Sequence, residues 1–243
     1  LTNKHTIFIA DLHLGPAEPK VVNLFLKFLE GIAPQTEALY ILGDLFKFWV
    51  GDDDTSEFNE QIKTALKTLN QKIPIYLMPG NRDFVLGQAF AKASGCTLLP
   101  DPCKIDLYNQ PTLLTHGDIL CTKDIKHCFF RAITRLPFAI AIFLKLPLKF
   151  RIWLASNIQK YSAKTKLSKN KNTLLPQINA VKKLMIKYNT NQIIHGHIHN
   201  VEVANFTINN QKMSRTSLGE WNDTGGSVLI YYPNGQYKFK NFK

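Results

Sequence analysis

The 243-residue chain has little of what would mark a secreted, membrane-spanning or thiolate-metal protein. Cysteine is scarce, and Cys96, Cys103, Cys121 and Cys128 contain no CxxC pair, which removes zinc-ribbon and redox-motif readings. No charged-then-apolar leader is expected, because Leu1–His5 runs straight into an apolar stretch, and the four thiols are expected to be reduced, in a cytosolic protein. Long uncharged runs are missing too. The longest in the apolar middle, Leu136–Leu144, falls far short of the roughly 20 residues that cross a bilayer. No internal repeat or low-complexity tract is present. Acid is nearly absent from one region: between Ile119 and Thr190, fifteen Lys and Arg meet a single acid, Asp124. The formal net charge of +12 is thus concentrated there, and the remainder is slightly acidic.

What the chain does have is one pattern written five times, an apolar run that stops at Asp, Asn or His. His5–Ala10 ends in Asp11-Leu12-His13, and Ala38–Leu42 in Gly43-Asp44. Ile73–Met78 ends in Pro79-Gly80-Asn81-Arg82-Asp83. Thr112–Thr115 ends in His116-Gly117-Asp118, and Gln192–Ile194 in His195-Gly196-His197-Ile198-His199. The runs lack polar alternation, which suits buried parallel strands, and the carboxyl ends of such strands are where ligands bind in open α/β sheets. A single Asp after a strand is usually a helix cap; five such endings in one chain are hard to explain by packing.

Between the runs lie amphipathic stretches, Glu18–Glu30 with Val21, Val22, Leu24, Phe25, Phe28 and Leu29, and Ser56–Asn70. This alternation predicts a layered α/β domain with a mainly parallel sheet. The rhythm breaks at residue 119. Residues 119–190 are expected to form a basic, apolar helical cap inserted between two halves of a core, 1–118 and 191–243. In the last part, Asn234-Gly235 between two short strands is a hairpin signal.

The endings read D-x-H, G-D, G-N-x-D, H-G-D and G-H-x-H. Carboxylate oxygen and imidazole nitrogen without thiolate favour Mn, Fe or Zn. Asp44 has two oxygens and is the natural bridge between two cations. Asp11 and His13 lie two apart and face one way on extended backbone, as do His197 and His199. Asn81 adds a neutral amide oxygen, which leaves room for an anionic substrate. Two adjacent cations can activate water and clamp a phosphoryl oxygen, the chemistry of phosphoester and phosphoanhydride hydrolysis. Asp83 and Asp118 are expected to orient ligands through hydrogen bonds; His195, outside the G-H-x-H pair, is read either as a further ligand or as a residue beside the site. His5 and His127 read as packing or surface histidines. Arg82 cannot donate a proton near neutral pH but can clamp phosphate with two bonds, which favours a leaving group that needs no acid.

These motifs resemble the calcineurin-like metallophosphoesterase superfamily. The resemblance implies a four-layer α/β/β/α sandwich in which Asp11, His13, Asp44 and His199 hold a first metal, and Asp44, Asn81, His116 and His197 a second. Asp44, Asn81, Arg82 and His116 are the catalytic candidates. IADLHLG, YILGDLF-x-FWVGDD, PGNRDF, THGDILCTKD, the LPLKFRIWLA run and HGHIH further resemble the UDP-2,3-diacylglucosamine pyrophosphohydrolase family of lipid A biosynthesis. That resemblance implies two Mn2+ ions, hydrolysis of UDP-2,3-diacylglucosamine to UMP and lipid X, and a peripheral position on the anionic cytoplasmic face of the inner membrane. It also implies that Asn81, Arg82, Asp124, Ser162, Lys166, Lys169 and His197 touch substrate. Lys166, Gln159 and Thr173–Pro176 depart from the family pattern, as does Lys47, which is not at a ligand position. Two rivals stay open. One is another dinuclear phosphoesterase, such as a nuclease or nucleotide phosphatase, although the cap's aromatics lie in aliphatic runs and do not alternate as stacking platforms do, so no nucleic acid is expected. The other is a membrane-binding module on an inactive scaffold.

Overall fold

The computed structural model describes residues 4–32, 34–168, 173–208 and 210–243, with the backbone alone for 162–168. Among these, twelve strands form two sheets. The first holds β1 (His5–Ile9), β2 (Thr36–Leu42), β3 (Ile75–Met78), β4 (Thr97–Leu98), β10 (Trp221–Asn222), β11 (Gly225–Tyr231) and β12 (Tyr237–Phe242), in the order β10-β11-β1-β2-β3-β4 with β12 also on β11. The second runs β5 (Cys103–Leu107), β6 (Gln110–Thr115), β7 (Gln192–His195), β9 (Gln211–Ser217), β8 (Glu202–Ile208). The alternation of strand and helix predicts a mainly parallel sheet; both sheets are in fact mixed. β1 to β4 are parallel, as are β6, β7 and β9, but β11 runs antiparallel beside β1, and hairpin partners add further antiparallel strands.

Period-two alternation explains how the sheets stack. In β1, Ile7 and Ile9 face α1 (Pro19–Glu30), α2 (Glu57–Asn70) and α3 (Gln88–Ser94), in one core with Phe25, Phe28, Ile62, Leu66 and Phe90. Phe8 and Ala10 face the other way and meet Leu42, Met78, Leu107, Leu114 and Ile194 between the two sheets. β6 and β7 repeat the division, with Leu114 and Ile194 inward and Leu113 and Ile193 outward. The outward pair is covered by Val181 and Met185 of α7 (Ile178–Tyr188). The result is an α/β/β/α sandwich, and its fourth layer is α7. The sequence groups α7 with the cap; its buried Val181 and Met185 make it part of the core, so the helices that stand away from the sheets are α4 (Ile125–Thr134), α5 (Pro137–Lys145) and α6 (Leu148–Ser168).

These three helices leave Ile125, Phe129, Phe138, Ile142, Phe150 and Trp153 exposed. No single described helix is long and apolar enough to cross a membrane; α4 and α5 pass that test only as a pair bent by 71°. Arg151 ties them to the core. Its guanidinium is buried, donates to the carbonyls of Leu146 and Val50, and pairs with both oxygens of Asp53. The guanidinium fills space that only a glycine leaves open, because a Cβ at Gly51 would lie 2.2 Å from its Nη1. Arg151→Ala is expected to cost about 1–3 kcal/mol, the penalty for orphaned buried carbonyls, and to open the 145–151 junction to protease. Urea unfolding and limited proteolysis check this; an unchanged cleavage pattern would show that something else seats the cap.

Candidate metal and phosphate site

At the exits of β1, β2 and β7 the chain turns in the left-handed region. Asp11, His13, Asp44, His197 and His199 all have positive φ, between 52° and 73°. Non-glycine residues in this region cost about 1–3 kcal/mol each, so the surroundings must hold them. They do so with backbone bonds between exits: the amide of Asp11 donates to Gly43, that of His13 to Asp44, and that of Gly196 to His116, at 3.1, 2.9 and 2.8 Å. The His197 amide donates to Asp11 Oδ2 at 2.7 Å. Close approach also demands glycine. A Cβ at Gly80 would meet Asp44 Oδ1 at 2.2 Å, and one at Gly43 (φ +88°) would meet His116 Nδ1 at 2.4 Å.

The side chains form two groups that meet at Asp44. In one, His13 Nε2 and His199 Nε2 lie 3.3 Å apart, and His199 Nε2 is 3.6 Å from Asp11 Oδ1. In the other, Asn81 Oδ1 lies 2.8 Å from His116 Nε2 and 3.0 Å from His197 Nδ1. Asp44 turns Oδ2 to His13 Nδ1 and Oδ1 to His116 Nε2, each at 3.7 Å. Its two oxygens therefore address the two groups separately, as a bridging carboxylate does.

The donor set fits divalent cations. Asp11 Oδ1 and His13 Nδ1 are buried without a hydrogen-bond partner, and Asp11, His13 and His199, like Asp11, Asp44 and His116, place ligand atoms within 4.8 Å of one another. The electrostatics point the same way. Burial pushes Asp11 up to about 6 and Asp83 up to about 7, and it holds His13 down at about 3. Burial also opposes charge on His116, yet the Asp44 and Asp11 carboxylates raise it to about 9. Too many buried carboxylates compete for too little positive charge, which a cation would supply. Two ring partners orient the ligand nitrogens. His116 Nδ1 contacts the Leu42 carbonyl at 3.0 Å and His199 Nδ1 contacts Glu220 Oε2 at 2.6 Å, so the Nε2 atoms face the cluster.

All seven residues singled out as metal ligands thus come together, and Arg82 joins them: its amide donates to Asp44 Oδ1 at 2.9 Å and its Nε lies 3.4 Å from Oδ2. Asp124 lines the adjoining cavity and caps α4, accepting from the His127 amide. Lys169 and the side chains of Ser162 and Lys166 lie outside the described residues. Lys47 pairs with Glu18, away from the ligands. His5 is a packing residue bonded to Thr36. His195 is buried between Gly196 O and Arg215 and is not among the ligands.

Asp83 accepts from the amides of Gly80 and Phe46 and so holds two ligand loops by hydrogen bonds. Two expectations need correction. Asp118 faces arginines of α4, because α4 folds over its exit. His127 is at the site, its ring 5.7 Å from that of His197. Glu220 was missed as well, although Leu218-Gly219-Glu220 follows β9 in the pattern of the other exits. The site opens into a cavity of about 950 Å3 whose floor includes Asp44, Asn81, Arg82, His197 and His199 and whose walls include Phe129, Phe130, Ile133, Ile158, Leu174 and Leu175.

A family model described as calcineurin-like phosphoesterase matches residues 4–201. The chain is also similar to proteins named UDP-2,3-diacylglucosamine hydrolase. That of Coxiella burnetii is 42% identical over 242 residues, covering 99% of this chain and 98% of the relative. Those of Aeromonas salmonicida (42%, covering 95% and 91%) and Stenotrophomonas maltophilia (41%, covering 93% and 94%) match comparably.

If the buried carboxylates await cations, chelator-treated protein should gain stability when a divalent ion is restored, by about 2.7 kcal/mol at a hundred times its Kd. Asp44→Asn should lose most of that gain. Thermal unfolding with and without Mn2+ or Zn2+ checks it, and a wild-type melting point indifferent to both ions would contradict the site.

Proposed function

Because the chain belongs to the calcineurin-like phosphoesterase family, and within it to the UDP-2,3-diacylglucosamine hydrolases, we propose that it cleaves the pyrophosphate bond of UDP-2,3-diacylglucosamine, releasing UMP and 2,3-diacylglucosamine 1-phosphate (lipid X). The observation that carries this reading is the continuity of the phosphate-handling cluster with the apolar walls of one cavity. A pyrophosphate at the floor and two acyl chains along the walls match its two chemistries.

Asp11, His13, Asp44 and His199 would hold one Mn2+, and Asp44, Asn81, His116 and His197 the other. Bound there, the pair would polarise a phosphoryl oxygen and activate water. The protein's own groups do the rest. Arg82, at the cavity floor beside Asp44, offers charge-assisted bonds to a phosphate and stabilises charge that develops on it. It gives no proton, and none is needed when the leaving group is itself a phosphate monoester of low pKa. Asp124, Ser162, Lys166 and Lys169 would contact the nucleotide and sugar from the cap side. Phe129, Phe130, Ile133 and Ile158 exclude water from the acyl chains.

The outer face of the cap supports a peripheral position on the cytoplasmic face of the inner membrane. Phe138, Ile142, Phe150 and Trp153 are exposed beside Lys145, Lys149 and Lys160. Apolar side chains interleaved with cations suit an anionic lipid interface, where each lysine contributes about 1 kcal/mol. A polynucleotide substrate is less suited to these aliphatic and phenyl walls.

Metal-stripped protein given UDP-2,3-diacylglucosamine and Mn2+ should release UMP and lipid X in equal amounts, with Asp44→Ala at least about a thousandfold slower as the shared electrostatic partner of both groups is lost. Chromatography of the two products checks this. Turnover of a generic phosphodiester alone would keep the metal site and overturn the substrate.

A further inference from the structure

We infer that Arg131 of α4 and Arg135, which caps the C-terminus of that helix, are positioning residues that make the geometry of His116 and Asn81 depend on how the cap is seated. The inference deepens the proposed reading of the site and rests on it. Two carboxylates lie buried under α4, Asp101 and Asp118, their side chains 1% and 0% exposed. Arg131 bridges them, with Nε 2.9 Å from Asp118 Oδ2 and Nη2 3.2 Å from Asp101 Oδ2. Arg135 lies within 3.7 and 3.6 Å of the same two oxygens and donates from Nη2 to the Gly80 carbonyl at 2.9 Å. Two guanidiniums balance two carboxylates, so this network needs no outside charge.

Each end of the network holds a ligand residue. The second oxygen of Asp101 accepts from the backbone amide of His116 at 3.1 Å and from Thr115 Oγ1 at 2.6 Å. Gly80, whose carbonyl Arg135 takes, immediately precedes Asn81. His116 Nε2 and Asn81 Oδ1 are the pair that meet at 2.8 Å. One helix therefore grips the backbone on both sides of a single proposed cation position.

The same helix walls the cavity. Arg131 and Arg135 are four apart and share a face, while Phe130 and Ile133 line the cavity from the adjoining one. A ligand whose apolar part presses on Phe130 and Ile133 bears on the helix that sets His116 and Asn81. The geometry thus links occupancy of the apolar walls to the alignment of the phosphate chemistry, through arginines that touch neither metal nor substrate.

The test uses Arg131→Lys and Arg135→Lys, which keep the charge but cannot span two partners. Arg135, 22% exposed, is the milder site should the other variant fold poorly. Mn2+ titrated calorimetrically into chelator-treated protein should show one of two binding events weakened by about 10–100-fold, the usual consequence of losing an outer-shell partner. Turnover of UDP-2,3-diacylglucosamine should lose kcat while KM stays within about twofold, since the arginines do not contact substrate. A purely structural role would lower Tm and leave the isotherm of the folded protein as in wild type; that result overturns the inference. Two cations bound by wild type without turnover would sink the substrate reading, and the isotherms would still decide the arginines.

Discussion

Everything at this site depends on one carboxylate. Asp44 is buried, and each of its oxygens addresses a different group of nitrogen and oxygen donors. Such a side chain, cut off from water, stays ionised only where positive charge and hydrogen-bond donors are close enough to offset its desolvation. The protein meets that condition by bringing five strand exits against one another, three of them in a backbone conformation that non-glycine residues avoid. Among the described residues, the nine non-glycine residues with positive φ include five of the proposed ligands, and the remainder are Tyr108, Asn109, Asn189 and Asn210. Strain is thus gathered where donors must converge, and the inter-exit hydrogen bonds and the packed layers hold it there.

The grammar of the strand exits was legible in the sequence for a physical reason. A parallel strand covered on both faces must be apolar throughout, so a polar ligand can appear only after it ends, and the boundary is sharp. Asp11, Asp44, Asn81, His116 and His197 announce themselves this way. What was not legible depends on distance in space. Nothing near His127 in the sequence says that its ring will stand against His197. Nothing near Asp101 says that it will accept the His116 amide. α7 looks like cap because it follows a basic stretch, and only the pairing of β6 with β7 shows that Val181 and Met185 have a sheet to cover. Arg151 likewise counts as one more cation among fifteen until its burial separates it from the rest.

The two halves of the site follow different rules. The metal and phosphate cluster is built from backbone turns on the sandwich and is rigidly specified. The apolar walls are built from helices joined to the sandwich by Ile140 and Phe143 of α5, packed on its core, and by arginines: Arg151 to the β2–α2 loop, and Arg131 and Arg135 to the exits of β3 and β6. A planar guanidinium can join several carbonyl and carboxylate oxygens at once, which suits it to hold a largely exposed helical body on a polar rim.

The order in which the chain is made gives one of these contacts a temporal meaning. β1 pairs with β11, which lies more than 200 residues later, Ile7 opposite Ile230, and the Asp11 carbonyl accepts the amide of Trp221 at 3.1 Å. Glu220, beside that tryptophan, is the partner of His199. At roughly 5–20 residues per second, a ribosome needs on the order of ten seconds or more to travel from one partner to the other. Through that interval the Asp11 loop has no Trp221 amide, and β1 has an unpaired edge. The last proposed ligand, His199, is therefore made before the groups that brace it and Asp11, and the centre gains that support only after Glu220, Trp221 and β11 have followed.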